Sequence, residues 1–357
     1  MHNDSTYYKP VNSGFFYSLI FALFFTVATA CHHSDRPAQS SRYLTIAGET
    51  MGTTYHISID TFLDIKMEID SLLIDINKAV STYDPASLIS RINSSDEENL
   101  VLASNIHFQT NFTNALDVYK ATNGLFDPTV MPLVNYWGFG YRKRQVLDYS
   151  DQSKIDSIMM LVGMDKWRYS EQEAGFEIRK PAGAELDFSA IAKGYAVDYI
   201  ADYIEKIGIK NYMVEIGGEV YARGLSKKNK SWAIGLNTPS EDAGFTDYED
   251  IVSIDGKGLA SSGNYRNFRI TDGIKYGHEI NPLTGYSVQT EILGVSVIAN
   301  NCMIADAYAT AFMIMDKSSA MKLCRENPDL DACFFTGNKD GGISADYTEG
   351  FYQYLVR

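Results

Sequence analysis

The side chains best suited to chemistry fall in three stretches of this sequence. In NCMIADAYATAF, Asp306 and Thr310 are four residues apart, so a helix would set a carboxylate and a hydroxyl on one face. Hard oxygens at that spacing suit Mg²⁺ or Ca²⁺, completed by backbone carbonyls, waters and a substrate phosphate. Two oxygens do not define a site, and in isolation they describe more readily a capped helix start with Asp306 in solvent. In ELDFSAIAKGYAVD, Asp187 and Ser189 are good helix caps ahead of Lys193 and Gly194. Free N–H groups, a favourable dipole, a lysine and a glycine make such a helix start a place for an anion. The plainer alternative is a capped helix with a solvated Lys193. In YGHEINPLTG, His278 lies on a turn between Gly277 and Asn281-Pro282. An imidazole there suits proton transfer near neutral pH, or only a structural hydrogen bond.

A fourth stretch, GLFDPTVMPLVNYWGFG, carries Phe126, Tyr136, Trp137 and Phe139 among glycines and prolines, with Asp127 as a polar contact. It reads as an aromatic wall or as a packed loop. Met51 in MGTTYHI and Tyr83 in STYDP add to the same inventory. An aromatic, Met-containing lining beside a phosphate- or metal-binding pole would suit a flat ring that carries phosphates. The sequence contains no GxxxxGK[ST], HExxH or GxSxG motif, and no GxGxxG after a strand.

The elements that must position these residues follow from periodicity. Residues 43–60 predict two strands around a glycine turn. Apolar positions from Leu63 to Val80 predict an amphipathic helix that STYDP ends, and ASLISRIN predicts a short second one. Further helices are expected at 106–122, 150–163, from the central stretch to about 206, at 303–315 and at 317–325. Residues 126–144 are expected to form a loop. Strands are expected within 167–180, at 211–216, 219–223, 231–236, 250–254, 266–270 and 293–299, with two more closing the chain. Meandering strands with helices between groups predict an α+β fold with mostly antiparallel pairing.

The 357 residues are 45% hydrophobic with a formal net charge of −14, enough for a sizeable core and lacking the basic footprint of a nucleic-acid partner. An acidic surface also means that a phosphate ligand needs a local cation. Residues 1–14 are polar, 15–30 form an apolar run, and Cys31 follows Ala28-Thr29-Ala30. This resembles a bacterial lipoprotein signal, with cleavage before Cys31 and lipid on its sulfur; a single uncleaved anchor helix is the alternative. Residues 31–42 then form a lipidated cysteine and flexible tether, and 43–357 the folded domain. Cys302, Cys324 and Cys333 fit no zinc spacing; they are buried thiols, or Cys324 and Cys333 form a disulfide.

Taken together, MGTTYHI, STYDPASLISRIN, ATNGLFDPTVMPLVNYWGFG, ELDFSAIAKGYAVD, EIGGEVYARG, ASSGNYRNF, GHEINPLTG and the Asp306/Thr310 helix resemble the ApbE family of FAD:protein FMN transferases, in the family's order over most of 43–316. The resemblance implies a single α+β domain, similar to the T-fold, with FAD as substrate. It implies FAD contacts from Met51, Tyr83, Leu125, Phe126, Asp127, Asp187 and Lys193. Mg²⁺ ligands are implied at Asp306, Thr310 and the Ala190 carbonyl, and a catalytic role at His278. The implied reaction transfers FMN to a Thr or Ser of a target protein, a redox membrane-protein subunit, with release of AMP. The implied location is the periplasmic face of a bacterial membrane, lipid-anchored through Cys31. The chain departs from the family at Asn281, where an Asp is common. Two other readings keep the same site: a hydrolase that splits FAD to FMN and AMP, and a flavin-binding lipoprotein without activity.

Overall fold

Apolar residues alternate through Tyr55, Ile57 and Ile59, so the first two strands bury one face. β1 (Tyr43–Thr50) and β2 (Thr53–Asp60) pair antiparallel through the turn Met51-Gly52. Both turn residues have positive φ, 51° and 74°, the left-handed geometry that a two-residue hairpin requires. The computed structural model describes residues 43–142, 151–240, 244, 247–264, 268–271, 274–338 and 342–356. The signal segment 1–30, Cys31 and the tether to residue 42 lie outside the described residues.

Helices α1 (Lys66–Val80), α2 (Leu88–Ser94) and α3 (Ile106–Ala121) follow, with β3 (Asn99–Ala103) before α3. Ile69, Leu73, Ile76 and Val80 form the buried stripe of α1. Then come α4 (Met131–Tyr136), α5 (Gln152–Met159), β4 (Arg168–Gln172), β5 (Gly175–Arg179) and α6 (Ala192–Lys206). The strands β6 (Tyr212–Ile216), β7 (Glu219–Arg223), β8 (Trp232–Asn237), β9 (Tyr248–Ile254), β10 (Lys257–Gly263), β11 (Phe268–Thr271), β12 (Ile274–Gly277) and β13 (Ile292–Ala299) come next. Helices α7 (Cys302–Ile314) and α8 (Lys317–Glu326) precede β14 (Leu330–Gly337) and β15 (Ile343–Tyr347).

The main sheet runs β1-β2-β6-β7-β10-β13-β14-β15, and each adjacent pair is antiparallel. Both faces of its centre are apolar. Ala260 and Val297 point into the larger core with α6 and α7, whereas Leu259 and Ile298 join Trp232, Val252 and Phe351 on the other side. Among the described residues no helix is long and apolar enough to cross a membrane. Cys302, Cys324 and Cys333 are buried free thiols.

Several elements differ from the sequence-based expectation. The stretch after Asp127 is helical rather than loop-like. Asp127 caps a 3₁₀ turn (Pro128–Val130) that runs into α4, with prolines in the first turn of each, where no N–H is missed. The strands β3, β10 and β12 were not expected, and β10, which reads KGLASSG, carries no β-branched residue. Small residues are needed in β10 because α7 lies against it: a Cβ at Gly258 would sit 2.3 Å from the Cys302 nitrogen. Nor does Asp187 cap α6. It accepts the N–H and hydroxyl of Ser189 in a local turn, and the helix starts later, after Ile191, which gives no side-chain cap.

The caps are exchanged between helices instead. Asp306 Oδ2 of α7 accepts the Gly194 N–H of α6 at 3.0 Å. Asp198 of α6 accepts the Cys302 and Met303 N–H groups at the start of α7, each at 2.8 Å. Each helix thereby supplies a carboxylate to the positive end of its neighbour. The backbones are close enough that a Cβ at Gly194 would lie 2.4 Å from the Cys302 carbonyl oxygen. Asp198→Ala strands two N–H groups and should cost about 1–3 kcal/mol. Thermal unfolding should show a midpoint several degrees lower, and an unchanged midpoint would remove the capping role.

Candidate active site

The cap exchange aims the first turn of α6 and the inner face of α7 into one cavity of about 440 Å³. Lys193 comes from α6, Asp306 and Thr310 from α7, and Ala190 from the turn before α6. Glu219 opens β7 directly after Gly217-Gly218, whose φ values of 64° and 103° turn the chain sharply. Ser261 and Ser262 of β10 line the floor, and the Ser262 hydroxyl lies 3.4 Å from that of Thr310.

This pole is buried and unevenly charged. Asp306 and Glu219 are only 2% and 3% exposed. The Lys193 ammonium stands 2.8 Å from Glu219 Oε1 and 3.7 Å from Asp306 Oδ1. Burial alone would lower the lysine's pKa, but the two carboxylates more than offset that and hold it above its ordinary value. Burial pushes the Glu219 carboxyl well above the usual range; Lys193 opposes the shift and Asp306 adds to it. Glu219 Oε2 is buried with no hydrogen-bond partner among the described residues. Two carboxylates facing one ammonium, with an orphaned acceptor, make a pole that is one cation short.

The opposite wall is mixed. Leu125, Phe126, Asp127 and Phe139 line it from the segment around α4, Tyr83 from the α1–α2 turn, and Asp187 from the turn before α6. Asp127 accepts the Thr129 N–H at 2.8 Å and its hydroxyl at 2.6 Å. Burial nonetheless raises its carboxyl to about 6. Burial also raises Asp187, against the two Ser189 hydrogen bonds. His278 and Glu279 enter from the loop after β12, and the imidazole lies 6.3 Å from the Phe139 ring in an edge-on arrangement.

Of the site residues named from the sequence, Tyr83, Leu125, Phe126, Asp127, Asp187, Ala190, Lys193, His278, Asp306 and Thr310 share this cavity. Met51 does not line it. Its left-handed turn places it over a separate depression with Lys66 and Asp70. The aromatic wall is also narrower than the sequence suggested. Trp137 is buried in a small cluster with Leu133 and Ile155, and its indole N–H donates to the Gly285 carbonyl at 2.8 Å. Neither Trp137 nor Tyr136 lines the cavity. Glu219 and Ser262 carried no role in the sequence reading. For Glu219 the available signal was a glycine pair directly before an acid at a strand start.

The fold is that of flavin transferases of known structure. The chain superposes on the flavin transferase ApbE from Vibrio cholerae with a TM-score of 0.78 at 31% identity, covering 88% of this chain and 99% of that one. The Pseudomonas stutzeri flavinyl transferase ApbE gives 0.78 at 27% identity, with 88% and 97% covered. An FAD:protein FMN transferase of Haemophilus influenzae is 32% identical over 81% of this chain and 85% of its own length. Residues 51–334 match the ApbE family model, and the chain belongs to the ApbE family.

Proposed function

We propose that this protein is a Mg²⁺-dependent FAD:protein FMN transferase that attaches FMN through a phosphoester to a Thr or Ser of a target protein and releases AMP. The observation that carries this reading is the cavity itself, in which a half-buried Lys193, a buried Asp306 and Thr310 face a partly aromatic wall with His278 at its edge. Relatives that bear the transferase name support it.

The donor set fits the ion. Among the described residues no three His, Cys, Asp or Glu side chains are grouped to hold a metal. One carboxylate, one hydroxyl and one backbone carbonyl would suit a hard cation that keeps part of its shell as water and phosphate oxygen. Asp306, Thr310 and Ala190 would hold Mg²⁺, which when bound neutralises charge on the diphosphate. Lys193 offers the one ammonium among the described lining residues to phosphate oxygens, and it stays charged because Glu219 and Asp306 flank it. Phe126, Phe139 and Tyr83 offer apolar surface to the flavin ring.

In the transfer step the acceptor hydroxyl oxygen forms a bond to the FMN phosphorus. The anhydride P–O bond breaks, and AMP leaves with the bridging oxygen. The hydroxyl proton passes to His278, a contribution of roughly 10²–10⁴-fold for a well-placed base. We also propose a periplasm-facing, lipid-anchored location with redox membrane-protein subunits as targets; the apolar run and Cys31 support it.

The full chain with FAD, Mg²⁺ and a protein bearing an acceptor threonine should yield an FMN adduct by intact-mass spectrometry, abolished by EDTA. AMP without an adduct across several acceptors would mean hydrolysis, and no AMP would leave a flavin-binding protein.

A further inference from the structure

Glu279 is 7% exposed, yet no lysine or arginine among the described residues pairs with it. Its Oε1 is buried without a hydrogen-bond partner among them, and its Oε2 stands 3.4 Å from His278 Nδ1. A buried carboxylate with so few partners is costly, and a purely structural role would have satisfied both oxygens. Burial accordingly raises the Glu279 carboxyl, and the imidazole is the group that pulls it back.

The backbone holds this arrangement in place. The Ser287 hydroxyl donates to the Gly277 carbonyl at 2.7 Å, and the Val288 N–H donates to the Glu279 carbonyl at 2.9 Å. A Cβ at Gly277 would lie 3.0 Å from Glu279 Oε2, so glycine leaves the carboxylate its room beside the ring. Asn281, the next polar side chain in the loop, is uncharged, and its Oδ1 caps the turn by accepting the Leu283 N–H at 2.9 Å. Phe139 packs edge-on to the imidazole.

We propose that Glu279 is the positioning residue of His278: it holds the imidazole proton on Nδ1, so that Nε2 takes the proton of the acceptor hydroxyl. The 3.4 Å separation puts the carboxylate within reach of the ring nitrogen, and catalytic hydrogen bonds commonly tighten on substrate binding. The tautomer of a histidine is set by the partner of its other nitrogen, and here the partner is a buried carboxylate. This inference rests on the transferase reading for its consequence, but not for its geometry.

The test is imidazole ¹⁵N NMR of the full chain without FAD or added metal, at alkaline pH where an imidazole is neutral, with His278→Gln identifying the signal. The wild-type ring should show a protonated Nδ1 and an unprotonated Nε2. Glu279→Gln, which is nearly isosteric, should lose that preference. Its kcat for FMN transfer should fall tenfold or more, out of the roughly 10²–10⁴ available to a general base, with FAD affinity by flavin fluorescence held within about twofold. A wild-type ring protonated on Nε2 overturns the proposal without any variant, as does a Glu279→Gln ring and kcat that match wild type. If neither protein gives adduct or AMP, the transferase reading fails while the tautomer still decides the role of Glu279.

Discussion

Asp306→Ala should lower FMN transfer by about 10³-fold or more, because a bound cation supplies several kcal/mol of charge stabilisation and each 1.4 kcal/mol is a factor of ten. The same carboxylate also caps α6 through Gly194 and sits 3.7 Å from Lys193, so the alanine variant loses a fold contact along with the chemistry. Asp306→Asn separates the two. Its amide oxygen can still accept the Gly194 N–H, but the charge is gone. Without Mg²⁺, Lys193 would then face Glu219 alone as a neutral pair, so the asparagine variant should unfold no lower than wild type. The alanine variant should lose about 1–2 kcal/mol for the missing cap. Adding Mg²⁺ should raise the midpoint of wild type and leave both variants unmoved, since only a ligand bound to the native state stabilises it. Wild-type transfer by Asp306→Asn at limiting Mg²⁺ would reduce Asp306 to a capping residue.

Local pattern carried most of the fold. The stripe in α1 and the i, i+4 pair on α7 were readable because a helix face depends only on residues a few positions apart. β10 was not readable, since its Gly, Ala and Ser are selected by the approach of α7, a contact between Gly258 and Cys302 that no local window contains. Helix capping failed for the same reason. Asp187 stands in the right place for a cap on α6, but the acceptor of the Gly194 N–H is Asp306, 112 residues later. The site divides along this line. Lys193, Asp306 and Thr310 stood out as candidates by type and spacing, but each stretch alone also read as an ordinary capped helix. Glu219 became a partner of Lys193 only once β7 and α6 packed together, and Glu279 gained meaning only from its burial against His278. Trp137 shows the converse: an aromatic that suggested a ligand wall is held in a core by a hydrogen bond to Gly285.

Lys193→Met should be the most damaging single change to both stability and activity, and its stability cost should depend on pH. Methionine keeps much of the aliphatic stem but leaves Glu219 and Asp306 buried without their cation. Breaking a buried ion pair from one side costs about 3–5 kcal/mol. Glu219 already has its pKa raised by burial, and Lys193 is the group that lowers it. Without the lysine, the folded-state pKa rises further. A carboxyl whose folded pKa lies above its unfolded value binds more protons in the native state, so stability falls as pH rises from the unfolded pKa through the folded one. In the variant that fall is steeper in total and extends to higher pH. Wild-type Lys193, raised above its own unfolded value, stays charged throughout the neutral range and adds no slope of its own there. Denaturant unfolding at pH 6 and pH 9 should therefore show a larger deficit for Lys193→Met at pH 9. FMN transfer should be lost at both, because protonating Glu219 relieves the fold without restoring an ammonium to the phosphate pole. An equal deficit at both pH values would mean that Glu219 is relieved by another cation, and that the buried pole is not one charge short.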